Sequence, residues 1–229
     1  MQHDRVAMIS GANRGIGAAI AQALAREGWR LSLGMRAPAS LDGVDPALAM
    51  AHRYEASEGR EGEWVAATMA RFGRIDAIIA NAGIVSRKNV VEADDAELDA
   101  LLDINVKAPR RLAKAAWEAL CASGRGRVVI MSSLSGKRVK SAAGGLYAIS
   151  KFGVTALAHG LRQAGWEHGV RATAVCPGFV ATDMGRAAGG GVEMTQPEDL
   201  ARVVAMLLDL PNEASVAEFT VNARLEPTY

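Results

Sequence analysis

The 229-residue sequence is poor in cysteine and histidine and has no excess of charge of either sign. Two cysteines, Cys121 and Cys176, suffice for one bridge but not for a disulfide framework, and they read as small residues of a reduced protein, which makes the cytoplasm the expected compartment. Of the four histidines, His3 and His52 are isolated and His159 and His168 stand nine apart, so no metal site is expected. The 26 basic and 25 acidic residues leave a net charge of +1, which argues against a nucleic-acid partner and against an acidic disordered tail. No uninterrupted apolar stretch approaches the ~20 residues that span a bilayer, so no membrane association is expected. The opening MQHDRVAMIS carries charge around a short apolar run and does not read as a signal peptide. No Pro/Ser-rich linker and no internal repeat divides the chain, so residues 1–229 are expected to form one domain.

What is present is an alternation of short apolar runs with longer amphipathic ones. Val6–Ile9, Leu31–Leu33, Ile75–Ala80, Val128–Met131 and Val170–Val175 read as buried strands, with His52–Glu55 and Ala217–Val221 as two further ones. Between them, Gly15–Glu27, Gly62–Phe72, Ala96–Cys121, Tyr147–Trp166 and Pro197–Leu208 read as helices. Near-continuous apolar strands alternating with helices predict an α/β fold: a doubly wound, Rossmann-type parallel sheet of about seven strands, covered by helices on both faces. Arg36–Ala51 and Thr182–Gln196 are the least regular segments. The second is open to two readings, a surface loop or a mobile substrate lid over the C-terminal edge of the sheet.

The first strand runs into Ser10-Gly11-Ala12-Asn13-Arg14-Gly15-Ile16-Gly17, which opens the first helix. A helix N-terminus offers unpaired amides and partial positive charge to a pyrophosphate, and glycines let the backbone approach it. Tight strand–helix turns also need glycine for steric reasons alone. The second strand ends Leu33-Gly34-Met35-Arg36 with no carboxylate to meet a ribose 2′-hydroxyl. Arg36, with Arg14 as a second cation, therefore points to NADP(H) rather than NAD(H).

Tyr147 and Lys151 lie one turn apart on a helical stretch. A free phenol has a pKa near ~10. An ammonium at ~4 Å, at an effective dielectric of ~20, is worth about 4 kcal/mol, or about three pKa units. Such a pair is a credible acid/base, although the same spacing also arises as an ordinary amphipathic pattern. Upstream, Val128–Met131 leads into the hydroxyl-rich turn Ser132-Ser133-Leu134-Ser135-Gly136.

Together these segments resemble the classical short-chain dehydrogenase/reductase family over essentially the whole chain. The motifs stand in family order: Ser10-Gly11-x-x-x-Gly15-Ile16-Gly17, Asn81-Ala82-Gly83, Asn105, Ser133, Tyr147-x-x-x-Lys151 and Pro177-Gly178-x-Val180-x-Thr182. The resemblance implies an oxidoreductase moving a hydride between a nicotinamide cofactor and a carbonyl or secondary alcohol. Tyr147 would be the general acid/base, Ser133 would hold the substrate oxygen, and Lys151 would hold the nicotinamide ribose and stabilise the phenolate. Asn105 would fix a water linking Lys151 to solvent; as an isolated feature it reads as a helix-interior asparagine bonded to backbone. Gly11, Asn13, Arg14, Gly15, Ile16 and Gly17 would carry the phosphates, and Asn81, Ala82 and Gly83 would close over the adenine ribose. Pro177 and Gly178 would turn beneath the nicotinamide, whose carboxamide Val180 and Thr182 would hold. The family's aspartate after the third strand is matched here by Glu55, followed by Ala56. The resemblance also implies a homo-oligomer, tetramer or dimer, built on helices rich in small residues.

Two other readings compete. A non-catalytic NAD(P)-binding regulator on the same fold has no need of Asn105, Ser133, Tyr147 and Lys151 together. An extended epimerase or dehydratase needs a larger C-terminal region than the roughly fifty residues after Gly178. Met184, Val192 and Met194 suggest an apolar pocket wall. Arg110, Arg111, Lys114, Arg125 and Arg127 are the candidates for a basic rim facing an acyl carrier.

Overall fold

The structure, a computed structural model, describes residues 4–189 and 193–225. Seven strands, β1 (Val6–Ser10), β2 (Arg30–Met35), β3 (Ala49–Arg53), β4 (Ala77–Ala80), β5 (Arg127–Met131), β6 (Arg171–Pro177) and β7 (Glu218–Val221), form one sheet in the order β3-β2-β1-β4-β5-β6-β7. Every neighbouring pair is parallel. The helices are α1 (Gly15–Arg26), α2 (Glu61–Phe72), α3 (Asp95–Leu102), α4 (Ala108–Ala122), α5 (Gly145–Gly165), α6 (Asp183–Gly189) and α7 (Pro197–Asp209).

Alternate residues of each strand serve opposite faces, and both faces are buried, which is why the strands read as unbroken apolar runs. On one face Ile9, Leu31, Leu33 and Ile79 pack on Ile20 and Leu24 of α1 and on Leu200 and Val204 of α7. On the other, Met8, Ile78, Val128 and Ile130 meet Trp64 of α2, Leu112 of α4 and Val154 of α5. Each such side chain contributes about 1.5–3 kcal/mol by leaving water. The two layers hold the carboxyl ends of the strands in register at one edge.

Three expectations change. The third strand begins at Ala49, not His52, because it is an edge strand paired only with β2, and its side chains are at most partly buried. The single helix expected over 96–121 is divided by a π turn at Asp103–Lys107. An α-helical carbonyl at residue 105 would bond the N–H of residue 109, and residue 109 is Pro109, which has none. In the segment 182–196, read as irregular, residues 183–189 form α6. Residues 190–192, including Val192, lie outside the described residues.

Candidate active site

The strand order reverses between β1 and β4, which leaves a crevice at the carboxyl edge of the sheet. A cleft of about 1570 Å³ opens there. Its floor is built first by Ser10. The Ser10 hydroxyl oxygen accepts the backbone N–H of both Asn81 and Ala82 at 3.0 Å, tying the end of β1 to the turn after β4. Asn81 Nδ2 donates to the carbonyls of Ser10 (3.0 Å) and Gly11 (3.3 Å), so its side chain braces the glycine turn from behind. Gly11 and Gly15 take φ of 66° and 55°, left-handed values that a side chain would strain. Helix α1 then starts with no side-chain cap and no acidic residue in its first turn. Its first amides are thus unpaired by the protein and face the cleft, which fits a phosphate group.

Gly11, Asn13, Arg14, Gly15 and Ile16 line the cleft, as do Arg36, Glu55, Ala56, Asn81, Ala82, Gly83, Pro177, Gly178, Val180 and Thr182. Gly17 and Asn105 do not; Gly17 is buried beneath the turn and Asn105 behind Gly83. Arg14 forms an ion pair at 3.1 Å with Asp183 of α6, so its charge is shared across the cleft. Arg36, exposed just past β2, has no ion-pair partner among the described residues. The Thr182 hydroxyl accepts the Gly185 N–H at 3.1 Å and so caps α6.

Deeper in the cleft the polar groups converge. The Ser133 hydroxyl donates to the Pro177 carbonyl at 3.4 Å, and its oxygen accepts the Ser135 N–H at 3.1 Å, which orients it. The neighbouring Ser132 points inward to Thr155 (2.7 Å) and the Lys151 carbonyl (3.2 Å), a packing role. Lys151 is 6 % exposed; its ammonium donates to the Met131 carbonyl at 2.8 Å and lies 5.5 Å from the centroid of the Tyr147 ring. Asn105 Oδ1 accepts the Ile84 N–H, while Nδ2 donates to the Ile84 carbonyl and to Ser150, all at 2.9 Å. Three of the four capacities of that amide are therefore used, leaving one lone pair on Oδ1. A Cβ on Gly83 would lie 3.1 Å from that oxygen and 3.9 Å from Lys151 Nζ, so both groups face the same glycine.

Burial pushes the Tyr147 phenol above its ordinary range, and the neighbouring Ser133 hydroxyl pulls it partly back. This differs from the depression that the helix spacing suggests, because the lysine is drawn to the Met131 carbonyl instead of the phenol. Burial also pulls Lys151 down from 10.5 to about 8. Between those values the unfolded chain holds a proton that the folded chain has released, so stability rises with pH across that window, by up to about 1.4 kcal/mol per pH unit. In urea unfolding, the wild-type chain is expected to gain stability relative to Lys151→Met between pH 7.5 and 10; parallel pH profiles would show that burial does not perturb Lys151.

Several contributors had no sequence reading. Ser150, which also donates to the Tyr147 carbonyl at 2.8 Å, ties Asn105 to the helix that carries Tyr147 and Lys151. The Met131 carbonyl is a backbone group with no signature. Met184 lines the cleft and Met194 does not. None of Arg110, Arg111, Lys114, Arg125 and Arg127 lines it. Arg111 holds Glu61 (3.0 Å) and the Ala56 carbonyl (2.6 Å), and Arg125 and Arg127 hold the Leu210 carbonyl beyond α7.

Comparison with known proteins places this site in a family. The family model for short chain dehydrogenases matches residues 5–191. An agropine synthesis reductase of Rhizobium rhizogenes is 38% identical over 98% of this chain, which spans only 54% of that protein. The chain thus covers about half the length of the first such relatives. The oxidoreductase UcpA of Escherichia coli (strain K12) is 30% identical over 93% of this chain and 84% of its own length. Among solved structures, a metagenomic short-chain oxidoreductase in complex with NADP superposes with a TM-score of 0.82 at 32% identity, covering 97% of this chain and 98% of that one. An alcohol dehydrogenase from the archaeon Thermococcus sibiricus, complexed with 5-hydroxy-NADP, gives 0.86 at 30% identity, covering 98% and 99%. The chain belongs to the short-chain dehydrogenase/reductase family of oxidoreductases.

Proposed function

We propose that the protein interconverts a carbonyl compound and its secondary alcohol with NADP(H), and that Tyr147 exchanges the proton. The observation that carries this reading is the convergence of Tyr147, Ser133, Lys151 and Asn105 beside the uncapped N-terminus of α1. A bound nicotinamide supplies the hydride exchanged with the substrate carbon. Gly11, Asn13, Gly15 and Ile16, with the first amides of α1, would hold its phosphates. Ala82 and Gly83 would lie along the nucleotide, Glu55 and Ala56 would meet the adenine end, and Pro177, Gly178 and Val180 would back the nicotinamide end.

Tyr147, kept protonated by burial, donates to the substrate oxygen in the reductive direction, and Ser133 shares that oxygen and orients it. Lys151 returns the proton. Its backbone tie to Met131 leaves Nζ facing Gly83, opposite the remaining lone pair of Asn105. Asn105 sits in the π turn that Pro109 forces on the helix, and π turns of this kind collect at functional sites. Helix α6 closes one side of the substrate space with Met184.

Arg36 supports the preference for NADP(H): it stands past the end of β2 where a carboxylate would select the unphosphorylated ribose. Arg14 is already engaged with Asp183, so the burden falls on Arg36. Arg36→Ala is expected to raise KM for NADPH by about tenfold or more, the worth of a charge-assisted hydrogen bond, and to spare KM for NADH. Parallel screens of carbonyl compounds with both cofactors test the function, and equal effects of the substitution on both would remove the NADP assignment.

A further inference from the structure

The short segment between β3 and α2 has no regular structure, yet its residues Tyr54, Glu55 and Ala56 line the cleft. Two backbone bonds hold it: the Tyr54 N–H donates to the Met35 carbonyl at 2.8 Å, and the Glu58 N–H to the Glu55 carbonyl at 3.1 Å. Two side chains grip it from behind. Glu61, at the start of α2, is 1 % exposed, and its carboxylate accepts the Tyr54 hydroxyl at 3.1 Å and Arg111 Nε at 3.0 Å. The same guanidinium donates from Nη2 to the Ala56 carbonyl at 2.6 Å. One carboxylate from α2 and one guanidinium from α4 therefore fix the two residues that flank Glu55. Neither Glu61 nor Arg111 itself lines the cleft.

Stability alone does not explain this network. A buried carboxylate loses its hydration, and a buried ion pair adds little over apolar side chains of similar volume. The surroundings are already apolar: the Tyr54 ring packs on Trp64 with centroids 4.8 Å apart, in the same core as Met8, Ile78 and Leu112. A Cβ on Gly34, another cleft residue, would lie 2.6 Å from the Trp64 ring, so the end of β2 rests on the same cluster. Apolar side chains would fill this space equally well, but they cannot fix the direction of a phenol and a carbonyl. Burial and the Glu61 carboxylate push the Tyr54 phenol above its ordinary range, which keeps it a donor. Arg111 Nη1 also lies 4.0 Å from Asp103 in the π turn that carries Asn105, so an effect through that turn is the competing role.

We propose that Glu61 and Arg111 are positioning residues for the adenosine half of the cofactor, which they act on by gripping Tyr54 and Ala56 on either side of Glu55. This rests on the reading of Glu55 and Ala56 as the adenine end of a nicotinamide-dinucleotide site.

Arg111→Met alone leaves Glu61 buried without its cation and should melt lower, so it does not carry the test. Tyr54→Phe, Glu61→Met and Arg111→Met combined replace the network with apolar side chains of similar size. In that variant the Kd for NADPH is expected to rise about tenfold, worth about 1.4 kcal/mol. The Kd for ADP-ribose, which lacks the nicotinamide, is expected to rise by the same factor. NADPH is followed by its fluorescence and ADP-ribose by its displacement of NADPH. The emission maximum of bound NADPH, a property of the nicotinamide end, is expected to match the wild type. Arg111→Lys puts one nitrogen in place of a two-nitrogen fork and should fall between the two proteins. It gives the same comparison where the triple variant does not fold. Unchanged affinity for NADPH and ADP-ribose overturns the proposal. So does a shifted emission maximum: with ADP-ribose binding intact it moves the role to the π turn, and with ADP-ribose weakened it shows a general loosening of the cleft. Failure of the underlying reading looks different: wild-type protein that binds neither NADPH nor NADH, or from which ADP-ribose displaces neither.

Discussion

Tyr147→Phe is expected to lower turnover by about 10²–10⁴-fold, the usual worth of a positioned general acid, while NADPH affinity stays within about twofold. The change removes one oxygen and leaves the ring in place, so Lys151 keeps its bond to Met131 and Asn105 its clamp on Ile84. Ser133 keeps the Pro177 carbonyl and the Ser135 amide as partners, so its orientation survives. On the proposed reading, what disappears is the proton that Tyr147 gives to the substrate oxygen as charge develops there. Burial holds the phenol in its protonated form through neutral pH, so reduction in the wild-type protein should be flat with pH in that range. Oxidation begins by taking a proton from the alcohol and should therefore rise with pH. Steady-state rates in both directions and a fluorescence titration with NADPH check all three points. Wild-type turnover in the phenylalanine variant would exclude Tyr147 from the chemistry.

The same residues show where a sequence is readable and where it is not. Tyr147 and Lys151 are legible because helical periodicity is a property of spacing, and β1 is legible because a strand buried on both faces is apolar throughout. The glycine turn is legible for a similar reason: φ values of 66° and 55° demand a residue without a side chain. Direction was harder to read than proximity. Spacing brings the ammonium near the phenol, but the Met131 carbonyl at the end of β5 captures it, and a carbonyl has no letter of its own. Arg14 and Asp183 are 169 residues apart in the chain, so their pairing depends on the completed fold. The start of edge strand β3 and the short helix α6 are hard to read from the sequence because neither has a strong apolar stripe. The π turn, by contrast, did have a signal. Pro109 stands four residues after Asn105 inside an amphipathic run, and a missing N–H at that position breaks the bond from residue 105.

Gly17→Ala is expected to lower cofactor affinity by at least about a hundredfold and Tm by about 2–12 °C. Gly17 lies in the first turn of α1, where a Cβ would fall inside the van der Waals surface of the Gly11 carbonyl oxygen and 2.7 Å from Asn81 Nδ2. The first obstacle is backbone and cannot rotate away. The glycine turn must therefore shift, which strains the bond from the Gly11 N–H to the Gly34 carbonyl (2.9 Å) and the two bonds from Asn81 Nδ2. Overpacking of this kind costs about 1–3 kcal/mol, and a chain of this size loses about 2–4 °C for each 1 kcal/mol. The larger effect is expected on binding, because amides proposed to converge on one phosphate lose their aim when the turn moves by a few tenths of an ångström. Gly62→Ala provides the contrast: Gly62 is also near the start of a helix, α2, but has nothing within 4 Å of a Cβ. Alanine there should be neutral or slightly stabilising and leave NADPH affinity unchanged, since glycine within a helix costs about 0.5–1 kcal/mol relative to alanine. Differential scanning fluorimetry with and without NADPH reads both effects together. A Gly17→Ala protein that melts and binds like the Gly62→Ala protein would show that the close approach at Gly11 does not shape the phosphate cradle.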